Sequence, residues 1–377
     1  MKKININYKS TIKLIKQLDW KLIVTVLAIF IFGLVILSSA THANSTGSYN
    51  QLIKQGLAFV LGIGMIIVIL FFDYNLLGRY YKALYIISLI LLAIVLLPGI
   101  GTVKGGARSW INLGPLDLQT SEIVKLTFVL SYAKILESKK DKLNTLKEVM
   151  PVVVYSLPFI GLLIAQPDLG TGIVFCCMIF AMLFTAGLSS KLIKRGIIIL
   201  LVSMPLMYLM MADHQKVRIE AFLNPEDVTL KGNYQVMQSL IAIGSGGVTG
   251  KGLYNGSQNQ EDFLPVQDSD FIFAVVGEEL GVIGMAVLII LFMIFLLRLL
   301  AIARDAKDFY GTLIVVGVMG MFGYQIIQNI GMTVALIPVT GVTLPFVSYG
   351  GSSLLTSLAN LGLVLNVCMR RKKIDRK

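Results

Sequence analysis

Ten apolar stretches, each about 20 residues long, divide this chain and are separated by polar connections. A helix of about 20 residues spans a hydrocarbon core of roughly 30 Å. Only 14% of the residues are charged, which excludes an ordinary soluble domain. The sequence therefore predicts an all-α fold, a polytopic integral membrane protein formed by one domain over residues 1–377. The predicted spans begin near Trp20, Ile53, Tyr81, Leu118, Met150, Thr171, Gly196, Phe271, Leu313 and Val347.

Lysine and arginine are unevenly distributed between the two sides of this arrangement. Positive charge near the ends of spans is retained on the cytoplasmic side. With the N-terminus inside, most of the 33 basic residues face the cytoplasm, and both termini are cytoplasmic. The net charge of +12 is then a topology signal. Nucleic-acid binding is not indicated, because it would need this charge gathered on a soluble face.

One connection, residues 212–269 between spans 7 and 8, is far longer than the others and is predicted to face outward. Long loops in compact proteins are usually functional. Within it, residues 238–258 are rich in glycine but match neither the Walker pattern nor GxGxxG. Two interpretations remain: a permissive turn, or a backbone that cradles a diphosphate together with Lys251.

An acidic segment, residues 267–281 (QDSDFIFAVVGEELG), passes directly into span 8. Ionisable groups at membrane depth are costly and mark functional sites by default. Asp270 is the candidate, although acids at helix starts also serve as caps. Glu278 and Glu279 are expected to make structural hydrogen bonds instead.

Three further polar points fall on the outward side. Arg108 and Trp110 lie in a glycine-rich connection, and Glu122 and Lys125 share one helix face three residues apart. This pair forms either a self-satisfied ion pair or part of a charged pocket. Asp168 occupies a short turn, where it is either a helix cap or a site residue.

The last of these points is residues 329–355, an uncharged connection broken by Pro338 and Pro345 and containing Ser348. Irregular backbone at membrane depth is tolerated only where it is buried in protein or lines a cavity. Because all these segments belong to one side, the sequence predicts a cavity that opens outward.

Five motifs occur in a fixed order: RSWINLGPLDLQTSEIVK, QPDLGTG, GNYQVMQSLIAIGSGGVTGKG, FLPVQDSDFIFAVVGEELG and PVTGVTLPFVSYGGSS. On these motifs the chain resembles the SEDS family (shape, elongation, division and sporulation), and its wording is most similar to the elongation branch. The resemblance implies a peptidoglycan glycosyltransferase that polymerises lipid II at the outer face of a bacterial cytoplasmic membrane. It implies that Asp270 is catalytic and that substrate is bound by Arg108, Trp110, Glu122, Lys125, Asp168, Lys251 and Ser348. Thr120 stands where the family has proline, which removes no functional group.

The chemistry of such a transfer also suits these residues. An attacking hydroxyl needs a base, which Asp270 supplies, and a leaving diphosphate needs cations in a poorly solvated site. Arg108, Lys125 and Lys251 are the candidates. Whether a divalent cation assists is left open. The implied partners are a class B penicillin-binding protein and membrane lipid; the alternatives are a division or sporulation paralogue, a lipid II flippase or transporter, and a scaffold.

Overall fold

The computed structural model describes residues 16–42, 50–112, 117–227 and 230–371. The basic residues before Lys16 and after Arg371, which contribute to the predicted orientation, lie outside these ranges. Within them, each predicted span corresponds to a helix, of which the eighth is interrupted at Gly281, and further helices lie in the connections. In chain order the elements are α1 Trp20–His42, α2 Asn50–Phe71, α3 Tyr74–Arg79, α4 Tyr81–Ile94, β1 Gly101–Lys104, β2 Ala107–Asn112, β3 Asp117–Gln119, α5 Thr120–Glu137, α6 Leu146–Ala165, α7 Leu169–Thr185, α8 Ser190–Met210, α9 Asp213–Leu223, α10 Lys231–Gly246, α11 Ser257–Gln260, α12 Ile272–Arg304, α13 Phe309–Thr333 and α14 Gly351–Met369.

By length and composition alone, six of the described helices can cross a membrane: α1, α2, α6, α12, α13 and α14. Helices α4 and α7 are apolar but shorter. The prediction of a polytopic membrane protein is therefore confirmed. The span lengths are less uniform than the sequence indicated, since α4 has 14 residues and α12 has 33.

Several helices begin at an acidic cap, as the sequence allowed. Asp19 accepts a hydrogen bond from Leu22 N at 2.9 Å, and Asp308 accepts one from Gly311 N at 2.8 Å. These carboxylates satisfy N–H groups that have no partner within the first helical turn. The polar starts of the helices are thereby stabilised where the chain enters the bundle.

Helices α13 and α14 form the centre of the bundle. Most of α14 is buried, and it packs chiefly along α2. Gly62 of α2 lies against Leu358, and Gly362 of α14 lies against the backbone of Ile66. Small residues at such contacts let two membrane helices approach closely without a hydrophobic driving force between them.

A three-stranded antiparallel sheet, in the order β1-β2-β3, fills the connection between α4 and α5. The all-α prediction missed this sheet. Gly105 and Gly106, both at positive φ, form the turn between β1 and β2, and a Gly-Gly pair between extended residues is a recognised hairpin signal. Trp110 pairs with Gln119, which directs β3 into the start of α5.

The long connection of residues 212–269 is largely helical in its described part, since it contains α9, α10 and α11. Helix α10 packs against α12, which is interrupted at Gly281 (φ 64°, ψ −162°). The first part of α12 is a buried half-helix that ends at this interruption. Predicted span 8 is thus two pieces, and the loop ahead of it supports the break between them.

Candidate active site

A cavity of about 510 Å³ lies where α5, α7, α12 and α14 begin. Its size falls within the roughly 300–1,000 Å³ typical of small-ligand sites. The sheet, α9 and the segment before α14 complete its walls. Five of the eight predicted site residues line this one cavity: Trp110, Glu122, Lys125, Asp168 and Asp270.

Asp270 lies two residues before α12 and is held through its backbone. Its carbonyl oxygen accepts a hydrogen bond from Asn329 Nδ2 at 3.0 Å, and the same amide group donates to Val342 O at 2.9 Å. Ser348 Oγ donates to Ser269 O at 2.6 Å, and Tyr349 N donates to Asp268 O at 2.9 Å. The irregular connection after α13 therefore fixes the position of the catalytic candidate.

The turn that leads to Asp270 is strained. Val266, a β-branched residue, has a φ of 56°, and its carbonyl oxygen accepts hydrogen bonds from Ser269 N and Phe271 N. Such backbone conformations cost on the order of 1–3 kcal/mol and cluster at functional sites. The strain is offset by the surrounding hydrogen bonds.

Burial raises the pKa of Asp270 from 3.8 to about 6. The Arg218 guanidinium lowers this pKa, and the Asp268 carboxylate raises it to a smaller extent. Burial likewise raises the pKa of Asp268 above its ordinary value. A carboxylate with a pKa near 6 is still ionised at neutral pH and is a stronger base than an ordinary aspartate.

Glu122 and Lys125 form a buried ion pair with an Oε1–Nζ distance of 2.6 Å. They are 6% and 2% exposed, respectively. Thr356 of α14 donates a hydrogen bond to Glu122 Oε2 at 2.8 Å. Both predicted interpretations therefore hold together, since the residues pair with each other and also line the cavity. The pair introduces polar atoms there without an unbalanced charge.

Asp168 is both a cap and a cavity residue. Its Oδ1 atom accepts a hydrogen bond from Thr171 N at 3.1 Å at the start of α7, and Oδ2 accepts one from Gln119 Nε2 at 3.3 Å. Burial raises the pKa of this carboxyl above 3.8. On the sheet side, Lys104 Nζ lies 5.3 Å from the ring centroid of Trp110, a cation–π distance.

The other three predicted residues do not line the cavity. Arg108 Nε donates to Gly101 O at 3.3 Å within the sheet. Ser348 is 5% exposed and holds the Ser269 carbonyl, as described above. Lys251 Nζ forms an ion pair with Glu278 Oε1 at 2.8 Å. These three geometries place side chains in structural contacts around the cavity.

The glycine-rich segment that carries Lys251 has a structural role at the break in α12. Lys251 N donates to Glu278 O, and Gly252 N donates to Glu279 O, both at 3.0 Å. In return Val282 N donates to Gly247 O at 3.0 Å. A side chain on Gly250 (φ 80°) would collide with the Glu279 carbonyl. The segment thus satisfies backbone groups that the interrupted helix leaves unpaired.

Glu278 and Glu279 make the structural hydrogen bonds expected of them. Both are fully buried. Glu278 accepts from the backbone N atoms of Gln258 and Asn259 at 2.9 and 3.1 Å, and Glu279 accepts from Ser39 Oγ at 2.5 Å. This polar cluster joins α1, α11 and α12.

The sequence did not single out several other residues of the cavity. Arg218 and His214 of α9 both line the cavity. Gln325, Thr340 and Ser109 each carry a buried side-chain oxygen without a hydrogen-bond partner. Polar atoms of this kind are normally paired, so they are available to a substrate. Their spacing in sequence gives no local signal.

Metal binding has no ready-made centre in the part of the chain that the structure describes. No group of three or more His, Cys, Asp or Glu residues there is placed to hold an ion. The polar lining of the cavity instead offers carboxylates, two ion pairs (Glu122–Lys125 and Lys104–Asp117), hydroxyl groups and amide groups.

These features define a class: a polytopic membrane protein with an acid–base cavity at one end of its helical bundle. Residues 19–373 match the family model of the cell cycle proteins FtsW, RodA and SpoVE. The chain therefore belongs to the SEDS family, which confirms the resemblance seen in its motifs.

Individual relatives cover nearly the whole chain. The probable peptidoglycan glycosyltransferase FtsW of Geobacter metallireducens is 35% identical over 98% of this chain and 99% of its own length. The peptidoglycan glycosyltransferase MrdB of Escherichia coli is 34% identical over 96% of each.

Solved structures support the same fold. A structure described as a peptidoglycan synthase complex that coordinates polymerization and crosslinking contains a chain with a TM-score of 0.81 and 34% identity, covering 94% of this chain and 99% of its own. The crystal structure of the Thermus thermophilus rod shape determining protein RodA gives a TM-score of 0.71 at 33% identity, covering 94% of this chain and 98% of its own.

Proposed function

We propose that this protein is a peptidoglycan glycosyltransferase that polymerises lipid II into glycan strands. The observation that carries the proposal is the meeting of Asp270 with the Glu122–Lys125 pair in one cavity. Membership of a family whose relatives are named peptidoglycan glycosyltransferases supports the same activity.

In this proposal Asp270 is the general base. A hydroxyl oxygen of the acceptor sugar attacks the anomeric carbon of the donor, and its proton passes to the Asp270 carboxylate. The bond from the anomeric carbon to the diphosphate oxygen breaks, and the lipid diphosphate leaves with both bonding electrons. A base of this kind contributes typically 100- to 10,000-fold in rate. Because the attack is a direct displacement, the anomeric centre is inverted.

The partners of Asp270 serve binding and position. The unpaired oxygens of Gln325, Thr340 and Ser109 suit sugar hydroxyl and amide groups. The Glu122–Lys125 pair offers a cation whose charge is balanced, which limits the cost of keeping the cavity ionic when it is empty. Asn329 and Ser348 act through the backbone of residues 269–270 and are positioning residues.

We place the cavity end of the bundle outside the cell and both termini in the cytoplasm. Lys139, Lys140 and Lys142 follow the far end of α5, and Arg304 and Arg370 terminate helices at that same end. Retention of positive charge on the cytoplasmic side supports this orientation. A class B penicillin-binding protein is the proposed partner, in line with the synthase complex that contains a similar chain.

We also propose the elongation role, because the sequences of the motifs are most similar to that branch of the family. Near-equal identities to a division relative and a rod-shape relative, 35% and 34%, do not separate the two roles. Expression in a strain depleted of its elongation polymerase should restore rod shape. Rescue of a division-polymerase depletion instead would reassign the role without changing the chemistry.

Incubation of purified protein with lipid II, followed by gel analysis of glycan strands, tests the activity. Asp270→Asn should abolish the strands. The matched control is Glu261→Gln, an exposed acid in the same long connection that does not line the cavity and should leave activity unchanged. Movement of lipid II between leaflets without glycan product would indicate a flippase instead. Strands made equally well by Asp270→Asn would indicate that Asp270 is not the base.

A further inference from the structure

A second cavity, of about 320 Å³, lies beside the first and is lined almost entirely by apolar side chains. It is formed by the second half of α9, the first half of α10 and residues 335–339. Arg218 is its one charged lining residue, and Arg218 also lines the polar cavity. The two cavities therefore meet at a guanidinium group.

The two cavities continue each other along two walls. On α9, His214 lines the polar cavity, Arg218 lines both, and Phe222 lines the apolar cavity. These residues are four apart, so they follow one face of the helix. In the segment before α14, Val339 lines the apolar cavity, and the next residue, Thr340, lines the polar one. The lining thus changes from polar to apolar along each of the two segments.

Of the lysine and arginine residues that line the polar cavity, Arg218 also lines the apolar one, and no described ion pair engages it. Its hydrogen bond from Nη2 to Gly105 O is long, at 3.5 Å, whereas Lys125 and Lys251 are held in ion pairs at 2.6 and 2.8 Å. The guanidinium also lowers the pKa of Asp270, so its charge is felt at the reacting end of the cavity. A planar guanidinium suits the bidentate binding of phosphate oxygens.

From the polar cavity to the apolar one, the site therefore presents a carboxylate, then a guanidinium group, then an apolar pocket. A lipid-linked sugar diphosphate has the same order of groups: a reacting sugar, a diphosphate and a prenyl chain. We propose that the apolar cavity binds the first isoprene units of the donor lipid and that Arg218 binds its leaving diphosphate. This inference rests on the proposed function, because it assigns one substrate of that reaction to one side of the cavity.

Binding of farnesyl diphosphate and of inorganic diphosphate to the purified full-length protein separates the two parts of the site. Ala221→Phe fills the apolar cavity and should lower the affinity for farnesyl diphosphate by about tenfold, while the affinity for inorganic diphosphate stays unchanged. Leu240→Trp, at a half-exposed position of the same lining, is a second blocking variant. Leu223→Phe is the matched control, since Leu223 belongs to α9, is 69% exposed and lines neither cavity.

Arg218→Ala should lower the affinity for both ligands by roughly 10- to 100-fold, the loss expected for hydrogen bonds to a charged group. Arg218→Lys should recover part of it, since lysine keeps the charge but not the bidentate geometry. Unchanged farnesyl diphosphate binding in both blocking variants would overturn the tail site. Unchanged binding of both ligands in Arg218→Ala would overturn the diphosphate site.

The same binding data distinguish failure of this inference from failure of the proposed function. If wild type makes no glycan but shows the predicted binding pattern, the glycosyltransferase proposal fails and the prenyl diphosphate site stands. If wild type polymerises lipid II and the blocking variants bind farnesyl diphosphate normally, the activity stands and this site is refuted.

Discussion

Asp270→Asn should make the protein more stable at neutral pH while it removes activity. Asp270 precedes α12, and its pKa is raised from 3.8 to about 6 because ionisation in this partly buried site is unfavourable. A difference of this size corresponds to about 3 kcal/mol between the two protonation states. Water reaches the half-buried side chain and screens part of the cost, so we expect the variant to gain about 1–2 kcal/mol.

The sign of the pH dependence follows from linkage. The folded-state pKa of Asp270 lies above its unfolded value, so its favourable contribution is fully present below about pH 4 and is lost as the pH rises through about 6. Asparagine does not titrate. The stability difference between Asp270→Asn and wild type should therefore be near zero at about pH 4 and complete above about pH 7.

Thermal unfolding of both proteins in the same detergent across this pH range measures the difference. Glu261→Gln, the exposed control, should follow the wild-type curve at every pH. In parallel, the rate of strand synthesis by wild type should rise with pH through about 6, as the base becomes ionised. A stability difference that is the same at both ends of the range would refute the argument from burial.

Four other variants test contacts of the cavity and of the break in α12. Asn329→Leu removes the two hydrogen bonds that hold Asp270 O and Val342 O. It should lower the free energy of unfolding by about 2–3 kcal/mol and change kcat more than KM. A melting curve measures the first effect and kinetics with lipid II the second; an unchanged kcat would contradict the positioning role. Glu122→Gln leaves Lys125 as a buried unpaired charge and should lower the free energy of unfolding by about 3–5 kcal/mol. The double variant, Glu122→Gln with Lys125→Met, should recover stability in thermal unfolding but should not recover strand synthesis. Recovery of synthesis would exclude a role for the pair in binding. Gly250→Ala should lower the melting temperature because its methyl group meets the Glu279 carbonyl, and an unchanged value would show that the break in α12 does not depend on this contact.

Hydropathy and charge were sufficient to predict the helices and the principal polar residues. Asp270, Glu122 and Lys125 stand out because charge is rare in apolar segments, and the structure brings all three to one cavity. The sequence predicted that meeting because the positions of Lys and Arg assigned all three segments to the same side of the membrane.

Other parts of the site depend on tertiary contacts that leave no local pattern. Arg218 belongs to a helix of ordinary surface composition, and its place in the cavity is set by docking of α9 on the turn at Gly105 and on Pro167. The glycine-rich pattern predicts Lys251 as a diphosphate contact, whereas its ion pair with Glu278 could not be predicted because the break at Gly281 is invisible in an apolar sequence. Only that break exposes the carbonyl groups that the glycine-rich segment binds.

The hydrogen bond from Thr356 to Glu122 also has a consequence for biosynthesis. Thr356 belongs to α14, the last described helix, whereas Glu122 lies in α5. During synthesis α5 enters the membrane long before α14 is made, so the Glu122–Lys125 pair must first be accommodated without that hydrogen bond and without the α14 residues that line the cavity. Arrival of the last described helix therefore completes both the hydrogen bonding of Glu122 and the wall of the cavity, so a chain truncated before α14 should lack an assembled site.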